Sequence, residues 1–278
     1  HALESDMPEI AAAAGAYLET KNGARLFDAI SSWWVITHGH CHPEIVAAIQ
    51  TQAARLDQVI FAGLTHAPAE AVARGLIGMA PAGLARVFFS DSGSTAVEVA
   101  LKMALGYWRN RGSGRSRILA LEHAYHGDTI GTMSAGGRGV FNAAYAPLLF
   151  EVGRIPFPET DALQATLDAL ESQCKAGNVA AFVFEPLILG AGGMRIYAPE
   201  ALARMHEICV HYGVLTIADE VMTGFGRTGT LFASEQAGFS PDILCLAKGL
   251  TGGSVPLAAT LATEEIFAAH YFKDRGRL

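Results

Sequence analysis

The sequence predicts an α/β fold: a mostly parallel sheet covered by helices on both faces. Three observations carry this. Largely apolar runs at 180–185, 214–219 and 243–247 read as strands buried on both sides. Stretches of helical period alternate with them. Polar and glycine-rich motifs follow the strands, where ligands of parallel sheets collect.

The elements follow in chain order. Residues 16–28 carry a strand–turn–strand signal, with Asn22-Gly23 as the hairpin turn. A helix is expected over 43–56, with Ile45, Ala48, Ile49 and Leu56 near one face. Another is expected over 65–79, where Pro68 stands near the start. Residues 86–90 form a short strand, and 94–108 a helix with Val97, Leu101, Ala104 and Trp108 in phase. A strand at 118–121 and an amphipathic helix at 161–176 come next. After the strand at 180–185, a helix spans 199–212, and strands at 214–219, 243–247 and 257–262 complete the set. Glycine-rich 112–114 and 136–139 are turns or loops.

Composition narrows the function. The 278 residues are 51% hydrophobic, enough for a large core. A net charge of −7 supplies no basic footprint for nucleic acid. Cys41, Cys174, Cys209 and Cys245 lack CxxC spacing, which suits reduced thiols in a cytoplasmic protein. No apolar run reaches the length of a membrane span, and no signal peptide pattern is present. The chain starts at His1 and stops at Leu278 just after a helical stretch, as a fragment trimmed at both ends would. Residues 1–30 read as a piece of a small subdomain, largely missing, and 31–278 as a large domain without its C-terminal companion.

Lys248 is the strongest chemical signal. A buried strand delivers it into the turn Gly249-Leu-Thr-Gly-Gly253. An amine there is expensive to bury unless it is used. The strand at 214–219 ends in Asp219-Glu220. A lysine able to form a Schiff base, with an acid able to pair with a ring nitrogen, is what pyridoxal phosphate chemistry needs. Asp219 would keep that nitrogen protonated. Glu220 serves equally well in a salt bridge or in the site. Asp91-Ser-Gly93-Ser94-Thr95 follows a strand and opens a helix. It reads as an ordinary N-cap or as an anion site, in which Gly93 admits close approach and Ser94 and Thr95 add hydroxyls. Glu122-His-Ala-Tyr125-His126-Gly127-Asp128 also follows a strand. Its tyrosine can stack on a planar ring or simply pack. His123 and His126 offer imidazoles, with no carboxylate or thiol evidently placed to complete a metal site.

Asp91-Ser-Gly-Ser94, Tyr125-His-Gly-Asp-Thr129, Glu185-Pro186, Gly190-Ala-Gly-Gly193, Ala218-Asp-Glu220, Thr223-Gly-Phe-Gly-Arg-Thr-Gly229 and Pro241-Asp-Ile243 together resemble the class III (omega) aminotransferases of fold type I. The resemblance runs from Ser31 to Thr260. Ser31-Ser-Trp33-Trp34, His66-Ala-Pro68 and the run 245–253 are similar to the members that aminate 8-amino-7-oxononanoate in biotin synthesis. The resemblance implies a transaminase using pyridoxal phosphate, with adenosylmethionine as donor and 7,8-diaminononanoate as product. It implies that Gly93 and Ser94 hold the cofactor phosphate and that Tyr125 lies against the ring, facing the substrate. Asp219 meets the ring nitrogen, and Lys248 is the Schiff-base lysine. Trp33 and Trp34 wall the pocket for a long apolar keto acid, Asp128 and Arg227 pair near the donor site, and Glu185 supports from behind. A homodimer with the site at its interface is implied as well. Leu189 departs from the pattern, since many relatives carry glutamine there. The partner's phosphate-binding threonine and the substrate-carboxylate arginine would fall beyond residue 278, and an aromatic substrate contact before residue 1. A chain lacking them is expected to bind the cofactor poorly.

Other readings compete. Gly224-Phe-Gly226-Arg-Thr-Gly229 matches a dinucleotide-binding pattern, but its strand ends several residues early and no helix opens after it. His38-Gly-His40-Cys-His42 looks like a zinc module, yet Gly39 and Pro43 break the strand and no fourth ligand is evident. An inactive fragment of the fold is a third reading, and another omega-amine enzyme, acting on a diamine, β-alanine or a 4-aminobutyrate-like donor, a fourth.

Overall fold

A computed structural model describes residues 7–274. They form two compact units, one made of the described residues up to Ala71 with Lys248–Pro256, the other of Val72–Ala247 with the described residues from Leu257.

The first unit holds an antiparallel sheet of β1 (Ile10–Ala14), β2 (Tyr17–Thr20) and β3 (Arg25–Phe27). The hairpin expected around Asn22-Gly23 joins β2 to β3, with Tyr17 opposite Phe27. Strand β1, which the hairpin signal did not include, pairs with β2. Between β3 and helix α1 (Pro43–Ala53) lies a feature the sequence did not announce. Ser31, Ser32, Trp33 and Trp34 have φ of 49°, 47°, 72° and 63°. Four consecutive side-chain-bearing residues therefore make one left-handed turn, closed by Val35 N–H donating to the Ser31 carbonyl at 2.9 Å. Each such residue costs about 1–2 kcal/mol over right-handed backbone. The surroundings must therefore hold the turn. Helix α2 (Ala67–Met79) runs from this unit into the next.

The second unit is the α/β body. After α2 come β4 (Leu84–Ser90), α3 (Gly93–Asn110), β5 (Arg117–Leu121), α4 (Ile130–Ala135), β6 (Gly153–Ile155), α5 (Leu163–Lys175) and β7 (Val179–Phe184). A two-stranded ribbon follows, β8 (Ile188–Leu189) with β9 (Arg195–Ile196), then α6 (Pro199–His211), β10 (Leu215–Asp219), β11 (Ile243–Leu246), β12 (Ala258–Thr263) and α7 (Glu264–His270). The main sheet has the order β4-β12-β11-β10-β7-β5-β6. Strands β11, β10, β7, β5 and β6 are mutually parallel. Only β12 is reversed, antiparallel to both β11 and β4. The mostly parallel sheet is as expected. Strand β6 and helix α4 are additions, too short to carry a periodic signal.

Alternation along the strands sorts the core. Ile118, Ala120, Ala181, Val183, Ile217, Ile243 and Cys245 pack on the face covered by α3, against Val97, Leu101 and Ala104. Trp108 fastens the end of α3 by donating its indole N–H to the Ala180 carbonyl at 2.8 Å. On the other face α6 packs on β10 and α5 on α6. There His206 stacks on Phe239, whose ring lies 6.2 Å from Phe184. Among the described residues no helix is long and apolar enough to cross a membrane.

Helix α3 starts one residue earlier than its period suggested, because Ser92 is the cap. Its hydroxyl accepts from Thr95 N–H at 3.2 Å, and Thr95 Oγ1 accepts from Ser92 N–H at 3.0 Å. Ser92→Ala is expected to cost about 1 kcal/mol of folding stability, measured by urea denaturation.

Candidate active site

Asp219 is the last residue of β10, between β7 and β11, and only 5% exposed. A carboxylate at such depth requires partners. Its Oδ2 lies 2.7 Å from His126 Nδ1, and its Oδ1 accepts from Val221 N–H at 3.2 Å. His126 Nε2 is buried without a hydrogen-bond partner. Assigning the ring proton to Nδ1 leaves a lone pair rather than an orphan N–H at Nε2. His126 therefore orients the acid. The sequence offered it as a possible metal ligand. Its true partner lies 93 residues away, so spacing held no signal for it.

The loop after β5 that carries His126 is tied down at several points. Tyr125 N–H donates to Glu185 Oε1 at 3.0 Å, and Gly190 N–H donates to Glu185 Oε2 at 2.9 Å. Glu185 thus joins the Tyr125 loop to the turn after β8. Asp128 N–H donates to Ser94 Oγ at 3.1 Å. Gly127, at φ 127°, has no room for a Cβ because Ser94 fills that space. Gly192 is equally obligatory, since a Cβ there would overlap the His123 carbonyl oxygen. Leu189, where polar contacts were in question, is fully buried in β8.

The Tyr125 hydroxyl donates to Asp128 Oδ2 at 3.0 Å. Burial, helped by that carboxylate, pushes the phenol up to about 12, so at neutral pH it keeps its proton. Arg227 Nε donates to the Met222 carbonyl at 2.7 Å, and burial draws the guanidinium downward. At the start of α3, helix geometry leaves the Gly93 and Ser94 N–H groups without intrahelical acceptors. Ser94 Oγ accepts from Asp128, which leaves its own O–H to donate. Thr95 differs from the expectation: its hydroxyl donates to Asp91 Oδ1 at 2.7 Å within the cap.

Glu220 was left open between a salt bridge and a site role. No salt bridge to it is found among the described residues. Its buried carboxylate accepts from Ala233 N–H, Ser234 N–H, Ser234 O–H and Thr223 O–H at 2.6–2.9 Å. It anchors the 3-10 turn 233–237.

In the first unit, Lys248 occupies left-handed backbone at φ 42°. Its Nζ lies 5.0 Å from the centroid of the Trp34 ring. Trp33 and Trp34 are 5.6 Å apart with planes at 60°. Along the chain Lys248 is three residues beyond Cys245, the strand neighbour of Asp219.

The two remaining motifs part ways with their alternative readings. Gly224, Gly226 and Gly229 sit in turns, with Gly229 N–H donating to the Gly226 carbonyl, and the next element is a 3-10 turn rather than an α-helix. His40 bonds Asp28 and His38 bonds Thr37. Among the described residues no group of three or more metal-ligating side chains is assembled.

Burial raises Glu185 from its ordinary range to about 7. The unfolded chain releases this proton near 4.5 and the native protein near 7. Between those values the native state binds more protons, so this group's contribution to stability falls as pH rises. Glu185→Gln is expected to remove that component, a difference of about 3 kcal/mol across the window. Denaturation midpoints of parent and variant from pH 4.5 to 7 check it. Parallel pH curves would contradict it.

The family model described as Aminotransferase class-III matches residues 4–277. The adenosylmethionine-8-amino-7-oxononanoate aminotransferase of Synechococcus elongatus is 53% identical over 270 residues, covering 94% of this chain and 64% of its own length. Among solved structures, the enzyme of that name from Methanocaldococcus jannaschii superposes with a TM-score of 0.91 at 37% identity, covering 97% of this chain and 62% of its own. A PLP-bound amine transaminase from an uncultivated Pseudomonas species gives 0.90 at 38%, covering 95% and 63%. The chain thus spans less than two thirds of each of these relatives' lengths. The full-length family match, the close identities and the shared fold together establish that the chain belongs to the class-III aminotransferases.

Proposed function

We propose that this chain binds pyridoxal phosphate and moves an amino group from adenosylmethionine to 8-amino-7-oxononanoate, giving 7,8-diaminononanoate for biotin. The observation that carries the reading is Asp219: a buried acid whose two protein contacts are both donors, so that its carboxylate is presented as an acceptor. That is what a pyridinium nitrogen requires. The rest of the donor set fits the cofactor. The start of α3, with the Gly93 and Ser94 N–H groups and the Ser94 hydroxyl, suits a phosphate. Tyr125 suits a planar ring.

When bound, pyridoxal phosphate supplies the electron sink and the carbonyl that carries the amine. Lys248 Nζ would hold the cofactor's aldehyde carbon and, once displaced by the donor amine, move a proton to and from the substrate carbon. Its backbone, in a glycine-rich turn, aims the amine. Tyr125 stays a neutral donor beside Asp128. His126 keeps Asp219 in one orientation. Glu185 fixes the loop that carries both Tyr125 and His126. Trp33 and Trp34 would give the keto acid's alkyl chain apolar cover and exclude water.

The names of the relatives support the substrate pair. The amine transaminase from Pseudomonas, equally similar in fold, supports a second reading with another amine donor. We also read the active form as a homodimer with the site at its interface. The four cysteines are free thiols, which suits a cytoplasmic protein.

Lys248→Ala is expected to abolish the borohydride-reducible bond between cofactor and chain; a persisting adduct would refute the assignment. Asp219→Asn should slow the half-reaction with the amino donor about a hundredfold or more, followed by cofactor absorbance. A screen of adenosylmethionine, lysine, diamines and β-alanine as donors, with 8-amino-7-oxononanoate as acceptor, separates the two substrate readings.

A further inference from the structure

We propose that Asp28 is a positioning residue for the acceptor pocket: it holds the left-handed turn 31–34 in the one conformation that presents Trp33 and Trp34 as a pair. This rests on the reading of the two tryptophans as walls of that pocket. Asp28 directly follows β3, and its own N–H donates to the Ala16 carbonyl at 2.9 Å, so its backbone is fixed by the hairpin sheet. Its carboxylate then grips the turn twice. Oδ1 accepts from Ser32 N–H at 2.9 Å, and Oδ2 accepts from Ser32 Oγ–H at 2.7 Å. A third contact comes from His40, whose Nε2 lies 2.8 Å from Oδ2. His40 is itself anchored, exchanging both backbone hydrogen bonds with Gly15 at 2.7 and 3.1 Å. The clamp is therefore tied to the sheet at both ends.

Ser32 is the right residue to seize. It lies in the middle of the four left-handed residues, immediately before the tryptophans. Its φ of 47° and ψ of 52° are disfavoured for a side-chain-bearing residue. Local hydrogen bonds do not select them, because a right-handed turn offers comparable ones. A carboxylate bound to both the amide and the hydroxyl of Ser32 does select them, since it accepts both only when the two donors point back to β3. Trp34 is where this reaches the chemistry, with its ring centroid 5.0 Å from Lys248 Nζ. If the turn relaxes to right-handed backbone, both indoles leave their places, and Trp34 leaves Lys248.

The test uses Asp28→Ala in the cofactor-loaded protein, with two readouts. The far-ultraviolet exciton couplet of the Trp33–Trp34 pair, whose rings are 5.6 Å apart at 60°, reports the turn independently of turnover. The two half-reactions, followed separately, report function. The expected result is loss of the couplet and about a tenfold rise in KM for the keto acid, larger than any change in the donor half-reaction. An unchanged couplet would overturn the proposal, and so would a lost couplet with donor and acceptor steps falling together. Trp33→Ala is the control for the underlying reading. If it weakens the acceptor while Asp28→Ala does not, the clamp alone is refuted. If neither variant alters the acceptor, the tryptophan assignment fails and the proposal fails with it. Should Asp28→Ala not fold, Asp28→Glu, which pushes the carboxylate one methylene past Ser32, carries the same expected and overturning results.

Discussion

A carboxylate at the end of a strand buried on both faces is the constraint on which the candidate site depends. Asp219 cannot be hydrated there, so the protein must supply donors. It does so with one backbone N–H and one imidazole. The imidazole arrives from another crossover, which obliges the loop after β5 to reach the end of β10. Once that loop is committed, its close contacts follow. Gly127 leaves room for Ser94, and Gly192 leaves room for His123. Glu185 ties the loop down through the Tyr125 amide, and the same burial that makes Glu185 effective as a tether raises its own proton affinity.

Two further acids show how differently a carboxylate can be used. Glu220 is fully buried and met by four donors from three residues, which makes it a fastener for the turn at 233–237. Asp28 lies nearer the surface, and the Ser32 amide and hydroxyl, with His40, hold it well below the usual carboxylate range, at about 2. Glu220 secures a loop; Asp28 offsets backbone strain in a turn that carries two large aromatic side chains. In each case it is the arrangement of donors that sets the role.

The legibility of the chain divides along the range of the interactions involved. Strands β7, β10 and β11 are largely apolar runs, and α3, α5 and α6 repeat their apolar residues at helical spacing, so local composition exposes them. Strand β6 has three residues and α4 has six, and neither is long enough to repeat. The cap of α3 was visible in Ser92 to Thr95, but the inward use of the Thr95 hydroxyl was not, because that depends on Asp91 turning back. For Glu220 the sequence left a salt bridge and a site role equally open, because its donors, Thr223, Ala233 and Ser234, are uncharged and carry no pairing signal.

What the sequence determined by itself was a mostly parallel sheet, its main covering helices, and the positions of Asp219 and Lys248, each trailing a buried strand. All of these follow from short-range periodicity and from the rule that polar motifs trail parallel strands. The tertiary structure decided the pairing of His126 with Asp219, the reversal of β12, and the left-handed turn at 31–34. Each of these depends on side-chain or strand contacts that periodicity does not encode. The left-handed turn runs against local preference, and the Ser32 amide and hydroxyl that donate to Asp28 offset that cost.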